Sequence, residues 1–211
     1  MTTANKPGLQ ALATGGVVRH RLALFDNFLD GNEVASLAAQ VFAAEADFVP
    51  STVTDSKDSY RKSLVLNPPA QLTRRVVEKI RALMPEVMAR LKMTPFSVAQ
   101  IECQVTANND GSFFRIHTDA GVNNTVKRQF TFVYYFNRQP KAFEGGELRV
   151  YDDVIRNGKL ARTDSFQVVE PRHNSIVFFQ AAIMHEVTQV SVPSREFRDS
   201  RFTLNGWVHR A

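Results

Sequence analysis

From Phe96 onward the chain is a succession of short apolar segments cut by turn residues, and this texture limits its fold more than any other feature. The segments are Phe96 to Val105, Phe113 to Asp119, Arg128 to Asn137, Glu147 to Tyr151, Phe166 to Val169, Ser175 to Gln180, His185 to Val190 and Arg201 to Val208. Asn108-Asn109-Asp110-Gly111, Gly145-Gly146, Asn157-Gly158, Pro171 and Pro193 fall between or beside them as turn signals. Short strands at this spacing predict a sandwich or barrel, and a double-sheet jelly roll is one such solution. Sixteen Phe against four Tyr and one Trp suit half-buried pleated surfaces, where aromatic side chains pack well.

Helical spacing is confined to the first half. Asp30 and Glu33 have the separation of a capping box, with Asp in place of Ser or Thr. Val34, Leu37, Ala38, Val41 and Phe42 then form one apolar stripe. Pro68 and Pro69 suit the first turn of a second helix. Its buried face would be Leu72, Val76, Ile80, Leu83 and Val87, with Pro85 kinking or dividing it. Between the helices, Ser51 to Asn67 is polar and ends in a strand-like Ser63-Leu64-Val65-Leu66. The expected class is therefore mostly β with N-terminal helices: a double-stranded β-helix (jelly roll) buttressed by two or three α-helices. No Gly/Ser/Pro-rich linker divides residues 17–211, so they read as one domain, with helical support over 28–92 and a jelly-roll core over 96–209. Residues 1–16 contain Pro7, Gly8, Gly15 and Gly16 and read as a flexible tail without the apolar run of a signal peptide. No stretch approaches the roughly 18 consecutive apolar residues of a membrane span.

Composition narrows the chemistry. The hydrophobic fraction of 44% is ordinary for a chain with a real core. The single cysteine, Cys103, excludes an intrachain disulfide and a cysteine-based zinc site and fits a reducing compartment, for which the cytoplasm is the expectation. The net charge of +5 comes from scattered residues such as Arg19, Arg21, Arg61, Lys62, Arg74, Arg75, Lys127 and Arg128. Without a basic run they read as a solvated surface, not a nucleic-acid footprint.

One constellation carries chemistry. In His117-Thr118-Asp119 the first and third side chains point to the same side of a strand and can reach one ion. His185 opens the penultimate segment, and strands distant in sequence lie side by side in a jelly roll. Two imidazoles and one carboxylate make the set that holds iron(II) on one face and leaves positions open. His-x-Asp alone is a weak motif; the joint placement of His185 and Arg201 raises it. Arg201 opens the last segment and offers a fixed positive fork suited to a carboxylate.

Five blocks in order resemble a known family. They are Phe113 to Asp119, Arg128 to Asn137, Glu144-Gly145-Gly146-Glu147-Leu148, His185-Glu186-Val187, and Arg201-Phe202-Thr203-Leu204-Asn205-Gly206-Trp207. Together they resemble the prolyl-4-hydroxylase-like branch of the Fe(II)/2-oxoglutarate-dependent dioxygenases. The resemblance implies that His117, Asp119 and His185 bind iron. It implies that Arg201 pairs with the distal carboxylate of 2-oxoglutarate, with Tyr135 and Asn205 also on the cosubstrate. The implied cofactors are Fe(II), 2-oxoglutarate and dioxygen, with ascorbate as an accessory reductant. The implied reaction is hydroxylation of an aliphatic C–H bond in a prolyl residue, amino acid or peptide, with 2-oxoglutarate decarboxylated to succinate. The carboxylate at Asp119 favours hydroxylation over halogenation, because halogenating relatives carry a small residue there. Two departures stand out. Ala107 occupies the position of a tyrosine that contacts 2-oxoglutarate in collagen-type and hypoxia-sensing relatives. Arg195 stands at the usual spacing from the distal histidine and rivals Arg201, with Ser191 to Ser200 as extra loop.

Other residues receive weaker assignments. Cys103 shares the parity of Ala107, which would aim it into the barrel, although a small buried hydrophobe is its default. Arg115 shares a face with His117 and reads either as a residue near substrate or as half of an ion pair. Arg128 and Asn123 precede a strand near the expected mouth. Arg115, Arg128 and Cys103 are thus the substrate-side candidates. His20, His173 and His209 lack partners at ligand spacing, Gly145-Gly146 reads as a turn, and Trp207 as core. Two rival functions are a non-catalytic jelly roll that senses a metal or small acid, and a repair enzyme for alkylated nucleic acid. The second lacks its branch's Arg-x-Asn-x-Thr-x-Arg ending. The partner expected is a small molecule or a peptide or protein substrate, not a membrane; the oligomeric state is left open.

Overall fold

The structure, a computed structural model, describes residues 16–51, 60–121, 127–156 and 159–211. Asn123, the Asn157-Gly158 turn and nearly all of the N-terminal tail lie outside the described residues. Strands β1 (Val17–Val18) and β2 (Ala23–Asp26) precede helix α1 (Gly31–Ala43). Short strands β3 (Val49–Pro50), β4 (Arg61–Lys62) and β5 (Leu64–Leu66) lead to helix α2 (Ala70–Arg90). Then come β6 (Val98–Asn108), β7 (Phe113–His117), β8 (Arg128–Tyr135), β9 (Glu144–Gly145) and β10 (Leu148–Arg156). The chain finishes with β11 (Lys159–Val169), β12 (Ser175–Gln180), β13 (His185–Val187), β14 (Val190–Ser191) and β15 (Arg201–Arg210).

Helix α1 starts where its sequence predicts. The Glu33 backbone N–H donates to Asp30 Oδ1 at 2.8 Å, and Glu33 Oε2 accepts from the Asp30 N–H at 3.1 Å, which closes the capping box. Val34, Leu37 and Val41 are its buried residues. Helix α2 begins after Pro69 and runs through Pro85 without dividing. Pro85 deletes the N–H that would have bonded back one turn. Its buried face is Thr73, Val76, Ile80, Met84, Val87 and Met88.

Both helices pack on a seven-stranded sheet of order β2-β12-β8-β15-β6-β5-β3. A second sheet runs β1-β10-β13-β7-β4, with β11 added beside β10, and β14 pairs with β9 as a small third sheet. The pairings are antiparallel. Side-chain alternation decides which core each residue joins. Along β8, Phe130, Phe132 and Tyr134 enter the helix-side core, while Val133 and Tyr135 enter the core shared with Leu148, Val150, Val177 and Phe179. Each fully buried aliphatic or Phe side chain here contributes about 1.5–3 kcal/mol.

The same alternation corrects one expectation. On β6, Val105 and Ala107 belong to the helix-side core and Cys103 packs against it, while Gln104, Thr106 and Asn108 line the cavity between the sheets. Cys103 does share the parity of Ala107, but that face looks to the helices and not into the barrel. Burial raises the Cys103 thiol to about 12, with the Glu102 charge adding to it. It is a small hydrophobe packed under α2, away from the cavity.

Candidate metal and cosubstrate site

The cavity between the sheets is organised by register. On β15, Arg201, Thr203, Asn205 and Trp207 all face it, with Phe202, Leu204 and Val208 on the helix side. Arg201 lies opposite Asn108, Asn205 opposite Gln104, and Trp207 opposite Glu102. The cavity therefore has a deep end at Arg201 and an outer end at Trp207. Its volume is about 70 Å³, several times what one water needs.

His117 ends β7 and His185 opens β13, and the two are directly paired across that ladder, with ring centroids 4.1 Å apart. Asp119 lies just past the end of β7. Its own N–H and that of Ala120 donate to the Ala181 carbonyl at 2.9 and 2.8 Å, fixing the turn. The Thr131 hydroxyl reaches across from the larger sheet and donates to Asp119 Oδ2 at 2.6 Å. The ligand atoms of His117, Asp119 and His185 all lie within 4.8 Å of one another, so these residues could hold one metal ion. His117 Nε2 is 3.7 Å from Asp119 Oδ1, and His185 Nε2 is 3.4 Å from Asp119 Oδ2.

The tautomers suit a metal. His117 Nδ1 is 2.7 Å from the Arg115 carbonyl and His185 Nδ1 is 2.9 Å from the Ile183 carbonyl. A carbonyl only accepts, so Nδ1 carries the proton in both rings and the Nε2 lone pairs face each other and Asp119. Burial, then the neighbouring His185, lowers His117 to about 3, which keeps the ring neutral and able to ligate. Burial raises the Asp119 carboxyl, but His185, His117 and the Thr131 hydroxyl together outweigh it and hold it well below the ordinary range.

Arg201 is only 2% exposed. Its Nε donates to the Gly146 carbonyl at 2.6 Å and its Nη1 to Asn108 Oδ1 at 3.1 Å. Gly146, at φ +72°, allows this, since a Cβ there would sit 2.5 Å from Arg201 Cδ. Arg201 Nη2 and the Tyr135 hydroxyl are buried with no hydrogen-bond partner among the described residues. The two groups are close enough to influence each other's ionisation, and Arg201 Cζ lies 5.1 Å from the Tyr135 ring centroid. Burial lowers the Arg201 pKa and raises that of Tyr135. An arginine nonetheless stays charged. Buried donors left unanswered cost about 1–3 kcal/mol each, and a carboxylate entering the cavity would satisfy both. The donor set fits an acid that chelates a metal at one end and meets Arg201 at the other.

The remaining sequence candidates separate cleanly. Asn205 lines the cavity, its Oδ1 accepting from Thr106 at 2.8 Å and Thr203 at 3.3 Å. Arg195 is on the surface, 79% exposed and 3.3 Å from Asp110, whereas Arg201 is in the cavity. Arg115 is exposed, over the Phe113 ring, and does not line the cavity. A bulge explains the difference from its expected face. His185 pairs with His117 but Val187 pairs with Phe114, so β7 carries one extra residue and Phe114 turns inward to stack on His117 at 3.5 Å. Arg128 donates to Glu102 at 2.9 Å and lies 3.5 Å over the Trp207 ring. Trp207 lines the cavity instead of filling a core. Sequence reasoning passed over Arg61, Gln104, Thr131 and Asn108, which also line it. Thr131 had a visible signal: a lone hydroxyl among apolar residues in Phe130-Thr131-Phe132-Val133.

The sequence profile of the 2OG-Fe(II) oxygenase superfamily matches residues 103–209, which contain every candidate ligand and Arg201. This chain belongs to that superfamily. An uncharacterized PKHD-type hydroxylase of Synechocystis sp. is 43% identical over 187 residues, covering 87% of this chain and 61% of the relative. The chain thus spans less than two thirds of that relative's length. A Pseudomonas putida prolyl-4-hydroxylase shares the fold with a TM-score of 0.67 at 22% identity, over 91% of this chain and 94% of that one. A Trichoplax adhaerens prolyl hydroxylase, solved with a hypoxia-inducible-factor peptide fragment, gives 0.64 at 16% identity, over 90% and 84%. These neighbours are jelly-roll oxygenases, and the two facing sheets described above are that fold.

Proposed function

We propose that this chain is an Fe(II)- and 2-oxoglutarate-dependent hydroxylase acting on an aliphatic carbon of a prolyl residue, amino acid or peptide. The observation that carries the reading is the convergence of a His-Asp-His set with two unanswered buried donors, Arg201 Nη2 and Tyr135 Oη. His117 Nε2, His185 Nε2 and Asp119 would hold the iron, with Thr131 steadying the carboxylate. Arg201 and Tyr135 would take the distal carboxylate of 2-oxoglutarate, and Asn205 would lie along its path. Bound iron(II) with 2-oxoglutarate and dioxygen supplies the oxidising power for C–H hydroxylation as 2-oxoglutarate is converted to succinate and carbon dioxide. The protein's own part is placement. Nδ1 bonds to backbone carbonyls fix both imidazoles, the Gly146 carbonyl and Asn108 aim the guanidinium, and the surrounding apolar side chains limit water. With iron bound, the Asp119 carboxylate would take the place that a halide needs in halogenating relatives, which favours hydroxylation. Ala107 faces the helices, so its position offers nothing to the cosubstrate, and Thr106 and Asn108 are the β6 residues that face the cavity.

The test is succinate formation from 2-oxoglutarate by the iron-loaded protein across a substrate panel, expected to vanish in His117→Ala. Arg201→Lys should raise the 2-oxoglutarate requirement at least tenfold and Arg195→Ala should leave it unchanged. Metal binding without any 2-oxoglutarate binding refutes the reading.

A further inference from the structure

Arg61, on β4, pairs with Phe114 of β7 and lines the same cavity as the His-Asp-His set. Its Nε donates to Ser63 Oγ at 2.9 Å, its Nη2 reaches Gln104 Oε1 at 3.5 Å, and its Cζ sits 4.7 Å from the Phe114 ring centroid. None of these partners is charged. Among the described residues that line the cavity Asp119 is the acid, and it belongs to the candidate metal set. Charge accounting then leaves Arg61 over. Iron(II) carries two positive charges and Arg201 one, while Asp119 carries one negative charge and 2-oxoglutarate two. Those four sum to zero, so among the described residues that line the cavity the largely buried guanidinium has no counter-ion of its own. Burying an unpaired charge is costly, and an anion in the cavity would relieve it.

The outer wall has the matching polarity. Trp207 lines the same cavity, and its Nε1 is a buried donor with no hydrogen-bond partner among the described residues. Asn205 Oδ1 already accepts from Thr106 and Thr203, and Gln104 Oε1 faces Arg61 Nη2 at 3.5 Å. Glu102, opposite Trp207, is engaged by Arg128 at 2.9 Å and approached by His209 at 3.1 Å. We propose that Arg61, helped by the Trp207 N–H, holds a carboxylate of the substrate, so that the molecule to be hydroxylated is an acid. This rests on the iron and 2-oxoglutarate reading above and names its substrate class.

The experiment uses the protein loaded with cobalt(II) and 2-oxoglutarate without oxygen, titrated calorimetrically with matched acids and amides. The pairs are proline and prolinamide, N-acetylproline and its amide, and capped Gly-Pro-Glu and Gly-Pro-Gln peptides, which separate a free α-carboxylate from an acidic side chain. At least one acid should bind at least tenfold more tightly than its amide. Arg61→Gln should abolish that preference, Arg61→Lys should restore part of it, and Trp207→Phe should reduce it several-fold. Acids and amides binding alike, no acid binding at all, or a preference that survives Arg61→Gln overturns the proposal. So does an Arg61→Gln protein that loses 2-oxoglutarate affinity as far as Arg201→Lys does, because Arg61 would then serve the cosubstrate. Failure of the wild-type protein to bind 2-oxoglutarate is a separate outcome, which removes the underlying reading itself.

Discussion

Replacing Gly146 by alanine tests the cradle around Arg201. The added Cβ would lie 2.5 Å from Arg201 Cδ, 2.9 Å from Val190 Cγ2 and 3.0 Å from Arg201 Nε. The backbone sits at φ +72°, which costs an alanine about 1–2 kcal/mol before any contact is counted. Arg201 cannot swing aside freely, because it is fully enclosed and bonded to Gly146 and Asn108. Overpacking a closed site adds about 1–3 kcal/mol. The sum is about 2–5 kcal/mol, which for a chain of this size lowers the melting temperature by roughly 4–20 °C. Gly31→Ala is the contrasting substitution. It opens α1, its Cβ would meet nothing within 4 Å, and it should be neutral or stabilise by up to about 1 kcal/mol. Thermal unfolding of the metal-free proteins reads both. A second readout is 2-oxoglutarate affinity of the metal-loaded Gly146→Ala protein, expected to fall at least tenfold as the guanidinium is displaced. A melting temperature unchanged from wild type refutes the packing argument. A destabilised protein with full 2-oxoglutarate affinity refutes the assignment of Arg201.

Two further outcomes follow from local chemistry. Glu33 is lowered from 4.5 to about 2 by the Asp30 N–H, then Lys79 and Arg75, so its stabilisation is present above about pH 4.5 and is lost as pH falls towards 2. Because the Arg75 side chain is 58% exposed, the effect is about 1 kcal/mol, and the melting gap between wild type and Glu33→Ala should shrink over that window; a gap constant from pH 7 to 2 contradicts it. Thr131→Val removes the 2.6 Å bond to Asp119 and should weaken iron(II) binding about 10–100-fold in a chelator competition. Unchanged affinity would show that Asp119 needs no such support.

The sequence exposed those parts of the fold whose signals are local. The Asp30–Glu33 box, the α1 stripe and the apolar segments that became β8, β12 and β15 are each written in neighbouring residues. Strand β11 was only a third visible. Lys159 to Ser165 carries no buried residue, Leu160 included, because the strand lies at the sheet's rim beside β10, so no buried face marks it. The candidate ligands were legible because i and i+2 parity is local, and the superfamily's blocks are compact. The errors came from non-local facts. Nothing near Cys103 says which side of β6 the helices cover, and the bulge that turns Arg115 out and Phe114 in is set by β13, about seventy residues on. Arg61 sits in a short strand whose place beside β7 only tertiary structure reveals.

The candidate metal ligands and Arg201 stand on different sheets, β7 and β13 on one, β15 on the other. An acid that touches both ends spans the gap between the layers, and sheets packed face to face keep a spacing of about 10 Å. That spacing works as a ruler. Val150, Val177 and Phe179, wedged between the layers but outside the cavity lining, help to set it. Trimming one of them would let the layers settle closer and favour a shorter diacid, so the choice of cosubstrate would be partly made by side chains outside the cavity lining.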